Sequence, residues 1–305
     1  MSPETARPFI DIEPGVAAAL AAKKPVVALE STIITHGMPF PDNATMAAEV
    51  EDIIRAEGAT PATIAVIDGR VKVGLTDSQR EALAKTTGAM KLSRADLAYA
   101  VSERRTGGTT VAATMIVAAL AGIRVFATGG IGGVHKGAEQ SFDISADLDE
   151  LARTPVIVVS AGAKAILDVG KTLEVLETRG VPVVAYGTDV VPAFWSRTSP
   201  HPAPLRLDAA AAIATFFAAR AALGIEGGIL VANPVGAADE IPAERMAAFI
   251  AGAQAAAEAE GVKGKAVTPY LLGKILELTG GESLKTNIAL VKNNARLAAR
   301  IAKAF

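Results

Sequence analysis

Two side chains able to do chemistry each stand just past an apolar run. Glu30 closes Pro25–Leu29 and opens Ser31-Thr32-Ile33-Ile34-Thr35-His36-Gly37, while Lys164 follows Val156–Ser160 in Ala161-Gly162-Ala163-Lys164-Ala165-Ile166-Leu167. A lone Lys among small and apolar residues is disfavoured in its charged form, and the free amine is the form that attacks a carbonyl-like carbon. A carboxyl at the edge of an apolar run is desolvated, which makes it usable in proton transfer. Each has a plain alternative: a solvated strand terminus for Glu30 and a snorkelling Lys at a helix start for Lys164.

Oxygen ligands and backbone donors come next. Asp143 and Asp147 bracket Ile144-Ser145-Ala146, and a spacing of four puts both carboxylates on one face if the segment is helical. Hard oxygens of this kind suit Mg²⁺ or Mn²⁺, although the helix dipole accounts for one N-terminal Asp without any metal. Thr128-Gly129-Gly130-Ile131-Gly132-Gly133-Val134-His135 is a glycine-rich loop directly after an apolar strand. Its amides could approach an anion closely, or its glycines could serve turns with positive φ. The spacing is neither a dinucleotide fingerprint nor a Walker A motif. Gly107-Gly108 precedes Thr109-Thr110-Val111 at the start of an Ala-rich helix, where free amides and hydroxyls could hold a phosphate or simply cap the helix. With His36, His135 and His201 the only histidines, an all-His zinc site is not expected.

These residues need a sheet whose carboxyl ends gather them. Six apolar runs read as strands: Pro25–Leu29, Thr63–Ile67, Ile123–Ala127, Val156–Ser160, Val181–Tyr186 and Gly228–Ala232. Most lack polar alternation and are separated by Ala-rich amphipathic stretches, the pattern of βα units with helices on both sheet faces. The expected fold is therefore a three-layer α/β/α architecture with a mostly parallel central sheet. Asp68-Gly69-Arg70 makes Thr63–Val73 an appended β-hairpin. Helix starts are expected at Asp42 or Asn43, at Thr76 with Gln79 three residues later, at Ser93, and at Thr268 before Pro269. Ligands of such sheets bind at the carboxyl ends of the strands.

Composition narrows the class. The 305 residues are 50% hydrophobic but only 4% aromatic, so the core is filled by Ala, Val, Ile and Leu. Thirty Lys and Arg against 32 Asp and Glu give a net charge of -2, too even a balance for a polyanion-binding surface, so no nucleic-acid polymer is expected as partner. The absence of Cys removes disulfides, thiolate zinc and thiol nucleophiles, and points to the cytoplasm. Val111 to Ile123 stops at Arg124, short of the roughly 18–20 residues that span a bilayer, so no membrane partner is expected. Without a repeat or low-complexity linker, residues 1–305 are expected to form one domain, with an extended or poorly ordered N-terminus at about 1–15.

Taken in order, these segments resemble the pseudouridine-5'-phosphate glycosidase family, which includes the indigoidine synthase A-like proteins. The resemblance rests on Ala28–Ile34 with His36-Gly37-Met38-Pro39, Thr128–His135, Phe142–Leu148 and Ala161–Lys164, and on Ala232-Asn233-Pro234, Leu278–Gly281 and Ser283–Ile288. It implies an enzyme that reversibly splits pseudouridine 5'-phosphate, with water, into uracil and ribose 5-phosphate. The bond cut is carbon–carbon, so the sugar C1' needs an electron sink, which a lysine imine supplies. The resemblance implies Lys164 as that nucleophile and Glu30 as the proton donor. It implies one Mn²⁺ on Asp143, largely through waters, and substrate contacts from Lys91, Thr110, the Val111 backbone, His135, Ser145, Ala146, Asp147 and Asn287. Lys91 and the amides near Thr110-Val111 suit the phosphate best. A cytoplasmic homo-oligomer, a trimer, is also implied.

Departures from the family pattern are mild: Ser160, Ala165 and Thr35 stand where Cys, Ser and Ser are expected. By pattern alone Lys91 reads as a surface loop before a helix and Asn287 as a polar residue of the C-terminal helix. A ribokinase-like sugar kinase ranks lower, because no Asp-Thr-x-Gly-Ala-Gly-Asp segment is present. Glu30 and Lys164 speak against a non-catalytic nucleotide-binding protein.

Overall fold

Parallel pairing of buried apolar strands organises the computed structural model, which describes residues 7–262 and 264–305. The strands are β1 (Ile10–Ile12), β2 (Val26–Leu29), β3 (Thr60–Ile67), β4 (Arg70–Val73), β5 (Met90–Leu92), β6 (Gly107–Thr109), β7 (Val125–Ala127), β8 (Ile157–Ser160), β9 (Val183–Tyr186), β10 (Leu205–Leu207) and β11 (Ile229–Ala232). The helices are α1 (Pro14–Ala21), α2 (Asp42–Ala56), α3 (Asp77–Lys85), α4 (Leu97–Ser102), α5 (Val111–Leu120), α6 (Ala138–Ser141), α7 (Ala146–Arg153), α8 (Val169–Thr178), α9 (Ala210–Ala222), α10 (Ala243–Ala259), α11 (Val267–Leu278) and α12 (Glu282–Ala302).

The strands form a sheet in the order β1-β4-β3-β2-β7-β8-β11-β9-β10, with β5 and β6 branching from β3. Pairing is parallel except where β3 meets β4 and β6, so the expected hairpin is present on a mostly parallel sheet. Every residue of β2, β7, β8 and β11 is buried. That is the signature of a sheet covered on both faces, and helices lie on both sides. Seven of the ten residues of α5 are buried, and α12 packs on β2, β7 and β8.

Local signals fix several element ends. The Thr76 hydroxyl accepts from the Gln79 amide at 3.2 Å while the Gln79 side chain accepts from the Thr76 amide at 3.0 Å, a complete capping box at the start of α3. The start expected at Asp42 is present. Asn43, however, is buried and donates to the carbonyls of Ile34 and Ala84 at 2.8 and 2.9 Å, tying three segments instead of capping. Ser93 begins no helix. Its amide donates to Asp96 Oδ2 at 2.9 Å and α4 starts at Leu97. The start expected at Thr268 comes one residue earlier, at Val267.

Four short strands carry too little pattern to be read from sequence: β1, β5, β6 and β10. Of the stretch 1–15, residues 1–6 lie outside the described residues, and Ile10–Ile12 is extended as an edge strand in register with Val71–Val73 of β4. Lys91 is not on a surface loop: it sits in β5, opposite Gly108 of β6. The glycine pair is itself buried strand, and a Cβ on Gly107 would lie 2.6 Å from the Met90 carbonyl, so Gly107 and Gly108 serve close strand approach and not anion binding.

Candidate active site

The chemistry-bearing side chains collect at the carboxyl ends of three neighbouring strands. Glu30 follows β2, Thr128 follows β7, and Lys164 follows β8 after a turn at Gly162, which has φ +87°. A Cβ on Gly162 would lie 2.8 Å from the Pro192 carbonyl, so the turn requires glycine twice over. The glycine loop runs beside this turn: Ile131 N–H donates to the Gly162 carbonyl, and Lys164 N–H to the Ile131 carbonyl, both at 3.1 Å.

Two chambers meet there. A mainly apolar cleft of about 660 Å³ is walled by Ile33, Met38, Phe194, Leu272, Leu290 and Val291, with Asn287 among them. A polar chamber of about 1080 Å³ is walled by Thr110, Val111, His135, Asp143, Ser145 and Asp147, among others. Glu30, Thr32, Lys91, Lys164 and Thr268 line both. The acid and the amine therefore stand at the seam, half-buried, beneath one polar and one apolar space.

Glu30 is held at both oxygens, accepting from the hydroxyls of Thr128 and Thr32. His135 lies in the polar chamber, its amide donating to the Asp143 carbonyl at 3.0 Å. Burial above all pushes the His135 imidazole below its ordinary range. Asp143 pulls the other way, and Lys91 and Lys164 add to the lowering, so all three charges surround one ring. His36 is also lowered, by burial first and then by Lys91.

The structure separates Asp143 from Asp147. Helix α7 begins at Ala146, so the two carboxylates share no helix face, which overturns the spacing argument. Asp143 is half-buried in the polar chamber. Asp147 is buried, and its oxygens accept from the Ala112 amide at 2.9 Å and the Gly132 amide at 2.8 Å. It ties the first turn of α5 to the glycine loop.

Two helix amino ends, those of α5 and α7, border the polar chamber. Thr110 caps α5 and Ser145 caps α7, so Val111 and Ala146 stand at the first helical positions, where amide N–H groups lack intrahelical acceptors. The glycines of the loop answer to packing: a Cβ on Gly130 would lie 2.6 Å from the Phe194 ring, and one on Gly132 would lie 2.8 Å from Asp147 Oδ2. In the apolar cleft the buried Oδ1 of Asn287 has no hydrogen-bond partner. An orphaned acceptor there fits a ligand N–H.

Sequence reasoning missed the wall residues Phe194 and Leu272, and Asn294, whose side chain donates to the Thr128 carbonyl at 2.8 Å. Phe194 packs edge-on against Trp195 at 4.9 Å between ring centroids. Only the alternation in Met90-Lys91-Leu92 could have signalled a strand at Lys91.

Residues 15–304 match the family described as indigoidine synthase A like protein. The chain belongs to that family. A family relative from Mesorhizobium japonicum, named pseudouridine-5'-phosphate glycosidase, is 75% identical over 305 residues and covers all of both chains. Another of the same name, from Dinoroseobacter shibae, is 66% identical over 97% of each chain. Among solved structures, the prealnumycin C-glycosynthase in complex with ribulose 5-phosphate superposes with a TM-score of 0.90 at 40% identity, over 97% of this chain and 96% of that one. An indigoidine synthase A-like protein from Thermotoga maritima superposes with a TM-score of 0.87 at 33% identity, over 96% and 95%. Among the described residues no helix is long and apolar enough to cross a membrane.

Proposed function

We propose that the protein is a pseudouridine-5'-phosphate glycosidase, cleaving the C1'–C5 bond to give uracil and ribose 5-phosphate through an imine on Lys164. The observation that carries this reading is the seam: Glu30 and Lys164 line both a polar chamber and an apolar cleft. A substrate with a phosphorylated sugar at one end and a flat pyrimidine at the other matches that division. The names of the relatives support it.

The polar chamber suits the phosphate. Lys91 brings a cation, and the first-turn amides of α5 and α7 at Val111 and Ala146 bring N–H donors with the positive ends of two helix dipoles. Thr110, Ser145 and His135 complete the polar wall. Asp147 acts by holding Ala112 and Gly132 in place, since both of its oxygens are engaged. The apolar cleft suits the base, whose ring N–H would satisfy Asn287 Oδ1.

In the proposed path Glu30 protonates the ring oxygen as the C1'–O4' bond breaks, the electrons for the opened form coming from the uracil ring. The Lys164 amine adds to C1' and gives up one proton as the C–N bond forms. The nitrogen lone pair then forms C1'=N⁺ while the C1'–C5 pair of electrons returns to uracil, whose C5 takes a proton. Water adds to the iminium, frees Lys164 and releases the aldehyde form of ribose 5-phosphate.

The reading includes Mn²⁺ on Asp143. Asp143 is a hard oxygen ligand on the wall of the polar chamber, and an ion that keeps most of its waters would need only that one protein carboxylate. A cation held there would supply positive charge to the polar chamber, where the phosphate is placed. A cytoplasmic homotrimer belongs to the same reading, and light scattering of the purified protein reads the subunit number.

The test is uracil release from pseudouridine 5'-phosphate, followed by borohydride reduction in the presence of ribose 5-phosphate. The expected product carries the sugar mass on Lys164. A Lys164→Ala protein that releases uracil at the wild-type rate overturns the assignment.

A further inference from the structure

Glu30 sits on a chain of hydrogen bonds that runs away from the substrate chambers into the core. The Thr128 hydroxyl donates to one Glu30 oxygen and the Thr32 hydroxyl to the other. The two threonines differ. Thr32 is half-buried and lines both chambers, whereas Thr128 is 1% exposed and lies behind the carboxylate.

The backbone of Thr128 is itself held from two sides. Its amide donates to the Val159 carbonyl of β8 at 3.0 Å. Its carbonyl accepts from Asn294 Nδ2, on α12, at 2.8 Å. Asn294 is fully buried, and its Oδ1 accepts from Asn233 Nδ2, just past β11, at 3.0 Å. Asn233 in turn donates its amide hydrogen to the Ser160 carbonyl at 2.7 Å. The network therefore joins the ends of β7, β8 and β11 to the long C-terminal helix, and its polar atoms find partners inside an apolar core, where an unpaired one would be costly.

A carboxylate on its own turns easily, because the terminal sp³–sp² torsion has only broad minima. Two donors from different elements, one on each oxygen, define its plane. Thr32 alone cannot do so, since it precedes a helical turn at the cleft wall and is open to displacement by a ligand. Thr128 is anchored by Asn294, a residue 166 positions further along the chain.

We propose that Thr128, held in place by the Asn233–Asn294 amide pair, is a positioning residue that fixes the plane of the Glu30 carboxylate at the seam. This rests on the reading above in one respect only, that Glu30 transfers protons. It assigns a role to Asn233 and Asn294, neither of which lines the chambers.

The experiment compares wild type with Thr128→Val, which keeps the shape and removes the donor, and with Thr128→Ser, which keeps the donor. Thr128→Ala serves as a second donor-free variant in case valine is not accommodated. Crystal structures at one pH read the clamp without any substrate: Glu30 is expected in one orientation in wild type and Thr128→Ser, and in a changed or divided orientation in the donor-free variants. Kinetically, losing the aim of one proton-transfer group is expected to lower kcat about tenfold to a hundredfold with KM within about twofold, and Thr128→Ser is expected to recover kcat to within about threefold. An unmoved Glu30 in both donor-free variants overturns the proposal, as does a kcat in them equal to that of Thr128→Ser. If wild type releases no uracil, the functional reading falls while the crystal structures still decide the clamp.

Discussion

The carboxylate of Asp147 accepts from the backbone N–H of Ala112 at 2.9 Å, so a side chain from α7 closes the amino end of α5. Its other oxygen holds Gly132 at 2.8 Å. Removing it strands two amides, and a hydrogen bond to a charged group contributes about 1.5–3 kcal/mol. Asp147→Ala is therefore expected to lose about 3 kcal/mol or more, read by urea unfolding without substrate. Asp147→Asn retains one acceptor and falls between.

A second contact of α7 is asymmetric. Glu150 is fully buried while the Arg94 side chain is 47% exposed, and they pair through two bonds at 2.6 and 2.8 Å. Arg94→Ala leaves a buried carboxylate without its cation and is expected to cost about 3 kcal/mol. Arg94→Ala combined with Glu150→Gln is expected to recover most of that loss, because no charge is then stranded. Chemical denaturation of the single and double variants checks both statements.

Stability should fall on mild acidification. His36 keeps part of its ring in solvent yet is held below its ordinary value of 6.5, by partial loss of hydration first and by the Lys91 charge second, so the unfolded chain takes up a proton first as pH falls. The stability this contributes is fully present above about pH 6.5 and is lost as pH drops from there toward the lower folded value. Unfolding free energies between pH 8 and pH 5 should show that slope, and His36→Gln should reduce it. His135, lowered in the same direction, adds to it.

Mn²⁺ binding can be read apart from turnover. Titration calorimetry or the loss of the free-ion electron paramagnetic resonance signal is expected to show one site per subunit, weakened at least tenfold in Asp143→Asn, since hard cations of this kind are held by one or two carboxylates. Undiminished binding in that variant would move the metal elsewhere.

At the far edge of the sheet, Asp11 bonds Arg70 first and Lys72 second, which holds its carboxyl well below the usual carboxylate range. Asp11→Asn should cost about 1 kcal/mol or less at pH 7, because the group is partly solvated. The difference from wild type should shrink as pH falls below about 4, where the unfolded carboxyl is protonated. Paired denaturation curves at pH 7 and pH 3.5 decide it.

What the sequence determined by itself is local. Runs such as Val26–Leu29 and Ile157–Ser160 carry their own burial in unbroken β-branched and aliphatic residues, Thr76 and Gln79 carry a cap within four positions, and Asp68-Gly69 carries a hairpin. Glu30 and Lys164 were legible because each stands within a few residues of the end of such a run. The tertiary structure decided whatever depends on partners far along the chain. Lys91 faces the seam only because β5 pairs with β6. Asp147 became a clamp because Ala112 lies 35 residues before it, and Asn294 reaches Thr128 across 166. A hydrogen bond selects by distance and angle in space, and no pattern of neighbours encodes which remote backbone group will arrive there.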